Sequence, residues 1–306
     1  MSKDLKYVEV KMTPSQFWDM MNEVDTFLAS QNVPIHARPI RAFLEVGKRL
    51  HVNILIAPAH KITDPILFTS HNIATHISNW YDERYGDRLK IHMGPGSVAI
   101  LIRGDAWKVV LPRVYGLVTY VCDPEIEKYK NMPKFSTRGR PIVLNIFNCI
   151  ENMTEHYASQ LSPEELKAIT MFFDLSLKSL YQLEKIQSKP FIKEALSDLG
   201  SAVYHIFNIP PHYGFSKWSS LQFIEKQIKS LLKIKGVNFP FKHDLSLLAK
   251  IATEHGLLIL DEVLLDKVKC DPGIRYGEYL TSLKEAMDAH MASIQLAHTV
   301  SKAINI

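Results

Sequence analysis

The sequence predicts an α+β fold, with helices and a small antiparallel sheet in the N-terminal part and an all-α C-terminal part. Three observations carry that expectation. Apolar residues recur at helical spacing between Phe17 and Tyr81, short runs of period two follow between Arg88 and Val121, and beyond residue 142 only helical stripes remain. The organisation this implies is an α+β domain over residues 1–127, a basic linker over 128–141, connecting helices over 142–188 and a helical domain over 189–306.

Each element has its own local signal. Thr13-Pro14-Ser15-Gln16 offers a cap, a proline suited to the first helical position and a capping-box partner, so a helix is expected through Phe17, Met20, Met21, Val24 and Leu28. A second helix runs from Ala37 to about Leu50, with Pro39 in its first turn. Val52 to Ile56 reads as a short strand ended by Pro58, and Ile73, Ile77, Trp80 and Tyr81 share a helical face that Gly86 closes. Arg88–Met93, Val98–Arg103, Trp107–Leu111 and Leu117–Val121 then read as strands. Their close spacing, with no helix between them, predicts an antiparallel meander.

Lys128, Lys130, Lys134, Arg138 and Arg140 occupy a stretch with no acidic residue, which reads as an exposed connection. Helices are expected from there on. They begin with residues 142–157, and Ser162-Pro163-Glu164-Glu165 then caps a helix through Leu166, Ile169, Phe173, Leu177 and Leu180. Phe191, Ala195, Leu199, Val203 and Ile206 form the next stripe after Pro190. Trp218, Leu221, Ile228 and Leu231 mark the inner face of another helix, ending near Gly236. The last helix carries Leu280, Leu283, Met287, Met291 and Ile294. A stripe with two methionines suggests burial against a second copy of the chain.

Composition narrows the function classes without naming one. The chain has 306 residues, enough for two cores, with 46% hydrophobic and 22% charged residues, 13 Gly and 16 Pro. These values exclude collagen-like, disordered and coiled-coil classes. No apolar run approaches the roughly 20 residues of a membrane span, and the charged start Met1 to Lys6 reads as lacking a secretory signal. Cys122, Cys149 and Cys270 form neither a zinc spacing nor a disulfide framework, so a reducing cytoplasm is expected. A net charge of +4 is compatible with an acidic partner. No motif calls for a cofactor or a metal.

Four constellations invite a chemical reading. Six of the 13 histidines lie between His36 and His92, but His71 and His76 are five apart and fall on different helical faces, which does not suit a metal pair. Gly94-Pro95-Gly96-Ser97 lacks the Gly-Lys-Ser/Thr of a phosphate loop and reads as a hairpin. Arg84 and Arg88 could grip a phosphate, although Asp82, Glu83 and Asp87 stand close enough to neutralise them. Lys226, Lys229 and Lys233 recur at helical spacing with Lys235 beyond, away from the line of Leu221, Ile228 and Leu231. That places them on an exposed face, either simply solvated or facing a nucleic-acid backbone.

A resemblance goes further. Ala202-Val203-Tyr204-His205 is followed by Phe223 to Leu232, then by Lys242-His243-Asp244-Leu245, Ile274-Arg275-Tyr276 and Ser282-Leu283-Lys284-Glu285-Ala286. In order and spacing these segments, from about Phe191 to Ile304, resemble the HEPN family (higher eukaryotes and prokaryotes nucleotide-binding domains). The resemblance implies an up-and-down helical bundle, commonly dimeric. It also implies either a metal-independent RNase or a non-catalytic module that binds nucleotide, RNA or protein. The family's RNases carry Arg, four to six residues, then His. No arginine here meets that spacing, and Arg275 has Leu280, Thr281 and Ser282 at those positions.

The expectation is therefore a non-catalytic regulatory protein, homodimeric, with nucleotide, RNA or a protein as partner. A divergent RNase of a toxin–antitoxin or defence system and a structural homo-oligomeric subunit are the alternatives. His243, Asp244, Arg275 and Tyr276 join the four lysines as candidate ligand residues. For His243 and Asp244 the favoured role is the helix start, with Asp244 capping the helix through Leu245 and His243 packing beside it.

Overall fold

The computed structural model describes residues 10–54, 66, 68, 69, 72–89, 94–130, 141–240 and 243–304. The fold is α+β and mostly helical. The chain divides into two compact units, Met1–His92 and Met93–Ile306.

In the first unit α1 spans Pro14–Ser30, α2 Arg38–Leu50 and α3 Ile73–Tyr85. The capping box forms as the sequence indicates: Gln16 N–H donates to Thr13 Oγ1 at 3.3 Å and Thr13 N–H to Gln16 Oε1 at 2.8 Å. Phe17, Met21, Val24, Phe43, Val46, Ile73, Ile77, Trp80 and Tyr81 make the core. Asp25 is buried inside this unit at 4% exposure. It accepts from Arg38 Nη1 at 3.2 Å and from the Tyr85 hydroxyl at 2.5 Å, which answers the cost of burying its charge. Burial and the nearby Asp25 charge push the Tyr81 phenol well above its ordinary range.

Two of the expected strands are changed here. Val52–Ile54 is irregular, and residues 55 and 56 lie outside the described residues. Gly86–Leu89 is a 3-10 turn rather than the start of a strand, because Gly86 turns the chain at φ +48° as α3 ends, and residues 90–93 lie outside the description.

In the second unit β1 (Gly96–Ile102) and β2 (Asp105–Leu111) pair antiparallel, with Ile102 opposite Asp105. Arg103 and Gly104 both take positive φ, as a tight two-residue hairpin requires. β3 (Val118–Val121) does not extend this hairpin. It pairs in parallel with β4 (Ile142–Asn145), so the predicted meander and the helix predicted from residue 142 are both corrected. A four-residue apolar run fits either element by period alone, and period two does not name a strand's partner. Asn145 ends β4: its Oδ1 accepts from the Asp123 and Phe147 N–H groups, and its Nδ2 donates to the Asp123 carbonyl.

Between β3 and β4 the chain forms α4 (Ile126–Lys130). Lys128 there pairs with Glu125 at 3.1 Å and Lys130 pairs with Glu127; residues 131–140 of the expected linker lie outside the described residues.

The remaining elements are α5 (Glu155–Ser159), α6 (Pro163–Lys185), α7 (Ile192–Phe207), α8 (Tyr213–Ile234), α9 (Leu245–Glu254), α10 (Glu262–Val268) and α11 (Leu283–Ile304). Ser162 and Glu165 form the second capping box, and Glu165 also receives Arg103 at 2.7 Å. α8 is the axis of the unit, with α7 and α11 packed along it; β1 lies on α6, α7 and α11. No helix among the described residues is long and apolar enough to cross a membrane.

This packing explains why the compact division falls at His92/Met93 and not near residue 127. The hairpin covers the helices that follow it: Ala99 packs with Ile206 and Met287. Met287 is fully buried by the chain itself, and Met291 is half-buried against the same cluster, so the methionine stripe is not left open for a second copy. His290, beside them and fully buried, accepts the Ala99 N–H on Nε2 at 2.9 Å.

Burial pushes the His290 imidazole down to about 4 from its ordinary 6.5. The unfolded chain binds a proton as pH falls through 6.5, whereas the folded chain resists until about 4. Stability is thus full above pH 6.5 and is lost progressively below it, by about 3 kcal/mol once pH has passed both values. The urea midpoint should fall between pH 7 and pH 4.5, and less so in His290→Gln, whose amide oxygen can still accept from Ala99. An equally steep profile in both proteins would contradict this assignment.

Candidate functional site

The sequence-selected residues do not form one lysine face. α8 is enclosed on most of its circumference, so the segment from Trp218 to Leu232 is largely buried. Lys229 lies inside, with Nζ 2.6 Å from Glu225 Oε1. Lys226 is half-buried against Asp198 of α7 at 2.5 Å, and burial raises the Asp198 carboxyl although Lys226 pulls it down. Lys233 and Lys235 are exposed; Lys233 Nζ stands 5.1 Å from the Phe191 ring. The expectation of an exposed face bearing all three helical lysines is corrected, because burial of α8 extends well beyond the line of Leu221, Ile228 and Leu231.

What the structure brings together instead is a cluster on one stripe of α8. Trp218, Gln222, Glu225 and Lys229 recur at intervals of four, three and four, so they stand above one another. Glu225 is 1% exposed and is neutralised in place. Besides Lys229 it accepts from Gln222 Nε2 at 3.2 Å, and both its oxygens lie 3.1 Å from His243 Nδ1. Gln222 Nε2 also stands 3.2 Å from His243 Nδ1, so three polar groups of the cluster meet at that nitrogen, on a side chain that is 51% exposed.

His243 meets the Trp218 ring edge-on at 5.3 Å, and Arg275 lies over the same indole with Cζ 4.3 Å from its centroid. Tyr276, 73% exposed, approaches Arg275 from outside, with its ring 5.1 Å from Cζ. Arg275 Nε donates to the Pro272 carbonyl at 3.2 Å, and the guanidinium forms no ion pair among the described residues. The backbone that carries it is pressed onto α8: a Cβ on Gly214 would stand 2.5 Å from the Ile274 carbonyl oxygen. Lys217 and Arg275 add positive potential here, opposing the burial that lifts the Cys270 thiol to about 11.

Asp244 has the helix-start role. It caps α9, accepting from Leu247 N–H at 2.9 Å. Of the second patch, Arg84 donates to Asn22 Oδ1 at 2.9 Å, reaches Asp25 at 3.8 Å and covers Trp80 at 4.9 Å. Its carboxylate therefore comes from α1. Arg88 sits exposed on the 3-10 turn after α3. Among the described residues no three His, Cys, Asp or Glu side chains group as metal ligands.

Sequence reasoning missed Trp218, Gln222 and Glu225. The signal was present as a polar line at the same helical spacing as the lysines. Comparison with protein-family models, with curated proteins and with solved structures gave no match.

The buried pair makes a measurable distinction between the lysines. Lys229→Met should lower stability by about 3 kcal/mol, because Glu225 loses its cationic partner inside the unit. Lys235→Met should change it by less than about 0.5 kcal/mol. Urea unfolding of the two variants checks this, and equal midpoints would refute it.

Proposed function

We propose that this chain is a non-catalytic regulatory protein built on a HEPN-like module, cytoplasmic and homodimeric, which takes the phosphate of a nucleotide or RNA at the Trp218 cluster. The observation that carries the reading is Arg275. Its guanidinium lies over the Trp218 indole and near the Tyr276 ring with no carboxylate paired to it among the described residues, while His243 stands at the same indole in contact with Glu225. A stacked guanidinium keeps its planar fork of donors available, and such a fork matches two phosphate oxygens. The dimer rests on the family resemblance alone, since the α11 stripe is closed within the chain; light scattering would give twice the 35.0 kDa monomer mass.

One feature favours the RNase as a second reading. A histidine whose Nδ1 is held by a buried carboxylate, on a side chain that is half exposed, can accept a proton from an attacking hydroxyl. The sequence lacks the family's Arg-to-His spacing, so the binding reading stands first.

Calorimetric titration with a nucleoside triphosphate tests the proposal. Arg275→Ala should weaken binding about tenfold or more, the cost of one charge-assisted hydrogen-bonded contact, with an unchanged circular dichroism spectrum. Equal affinity in both proteins would move the site elsewhere and favour a protein partner. In parallel, single-stranded RNA and tRNA incubated with chelator should stay intact. Cleavage that disappears in His243→Ala would replace the binding reading by the RNase.

A further inference from the structure

A second cationic surface lies at the opposite end of α8, fifteen residues or about 22 Å from Trp218 along the helix. Lys233 and Lys235 end α8, and Lys233 stands over Phe191, the residue that opens α7. Lys189 and Lys193 flank Phe191 in sequence, and Lys185 ends α6 one turn earlier. All five lysines are exposed, and none forms an ion pair among the described residues.

The local acids are largely spent elsewhere. Glu184 is paired with Arg113 and Asp198 with Lys226, which leaves Glu194 in the first turn of α7 as the exposed carboxylate. The backbone under the lysines is held in place. Lys189 N–H donates to the Ile186 carbonyl at 2.8 Å, and Phe191 adopts φ +64°. Gly236 N–H closes the end of α8 on the Lys233 carbonyl at 3.2 Å. α7 begins here without a side-chain cap, so the positive end of its dipole adds to the lysine charge.

We infer that this end of the helical unit docks the sugar–phosphate backbone of a nucleic acid, independently of base sequence. Lysines are point charges that fit phosphates without reading base edges. A lipid surface is the other polyanion of this kind, but stable membrane docking uses an apolar side chain or an acyl chain beside the charges. None of the exposed large hydrophobic residues lies within residues 184–193 or 229–240. The surface is separate from the Arg275 cluster, and its test does not depend on that site binding a nucleotide.

The experiment is fluorescence anisotropy of a labelled single-stranded RNA of about 30 nucleotides, and of a DNA duplex, over a salt series. The proteins compared are the full chain and a variant with Lys189, Lys193, Lys233 and Lys235 all changed to Gln. Because each single-strand phosphate contact contributes about 0.7 to the slope of log affinity against log salt, the slope should become shallower by about 3. Affinity at low salt should fall at least about tenfold. Arg275→Ala should leave that slope in place, and the quadruple variant should keep any triphosphate binding, so the two sites fail separately. Should the quadruple variant not fold, Lys189→Gln and Lys235→Gln alone should each reduce the slope by somewhat less than 1. Unchanged slope and affinity, or no nucleic-acid binding by the unaltered chain, would overturn the inference. So would binding to phosphatidylserine vesicles in place of nucleic acid.

Discussion

A carboxylate at 1% exposure on the most enclosed helix of the chain has to be answered where it stands. Glu225 is that group, and leaving it unpaired in the interior would cost several kcal/mol. Lys229 supplies the charge from the next turn, Gln222 an amide donor from the previous one, and His243 an imidazole nitrogen from outside the helix. The third contact has the longest reach. It draws the chain that follows α8 back across its surface, one residue before Asp244 caps α9. Placement of α9 is thereby tied to the neutralisation of a side chain in α8.

The same contact shapes the chemistry on the outside. His243 cannot turn away without losing its contact with Glu225, which keeps its ring edge at Trp218. Arg275 shares that indole, carried by a turn that Gly214 allows to approach α8 closely. One aromatic ring thus holds two nitrogen-bearing groups in register. At the far end of α8 the conditions are reversed, because the lysines there are exposed and form no ion pair among the described residues. Charge that is buried in this helix builds structure, and charge at its ends remains available to a partner.

The local signals of the sequence were legible where short-range chemistry decides the outcome. Both capping boxes, at Thr13 and Ser162, formed with the expected partners, and the Arg103-Gly104 hairpin closed as its residues require. The expectations that failed depended on tertiary context. Ile142 to Asn145 became a strand because Val118 to Val121 lay alongside it, which no local period reveals. The apolar stripe on one side of α8 predicts an exposed Lys229, whereas that helix is enclosed on most of its circumference. The resemblance points to His243, Asp244 and Arg275, and capping chemistry explains Asp244, but the indole that joins His243 and Arg275 by itself carries no signal in the sequence beyond that of a core residue. A tryptophan aligned with a glutamine, a glutamate and a lysine on one helical face is better read as a polar line needing partners from elsewhere.

The most direct measurement is nuclear magnetic resonance of the side-chain N–H groups during titration with a nucleoside triphosphate. The Arg275 Nε–H and Trp218 Nε1–H signals should shift together along one saturating curve, with His243 ring signals following. Backbone signals of Lys233 and Lys235 should stay in place, since one nucleotide is too short to cover the roughly 22 Å between the two ends of α8. Saturable shifts confined to other residues, with Arg275 and Trp218 unmoved, would contradict a site at the Trp218 cluster.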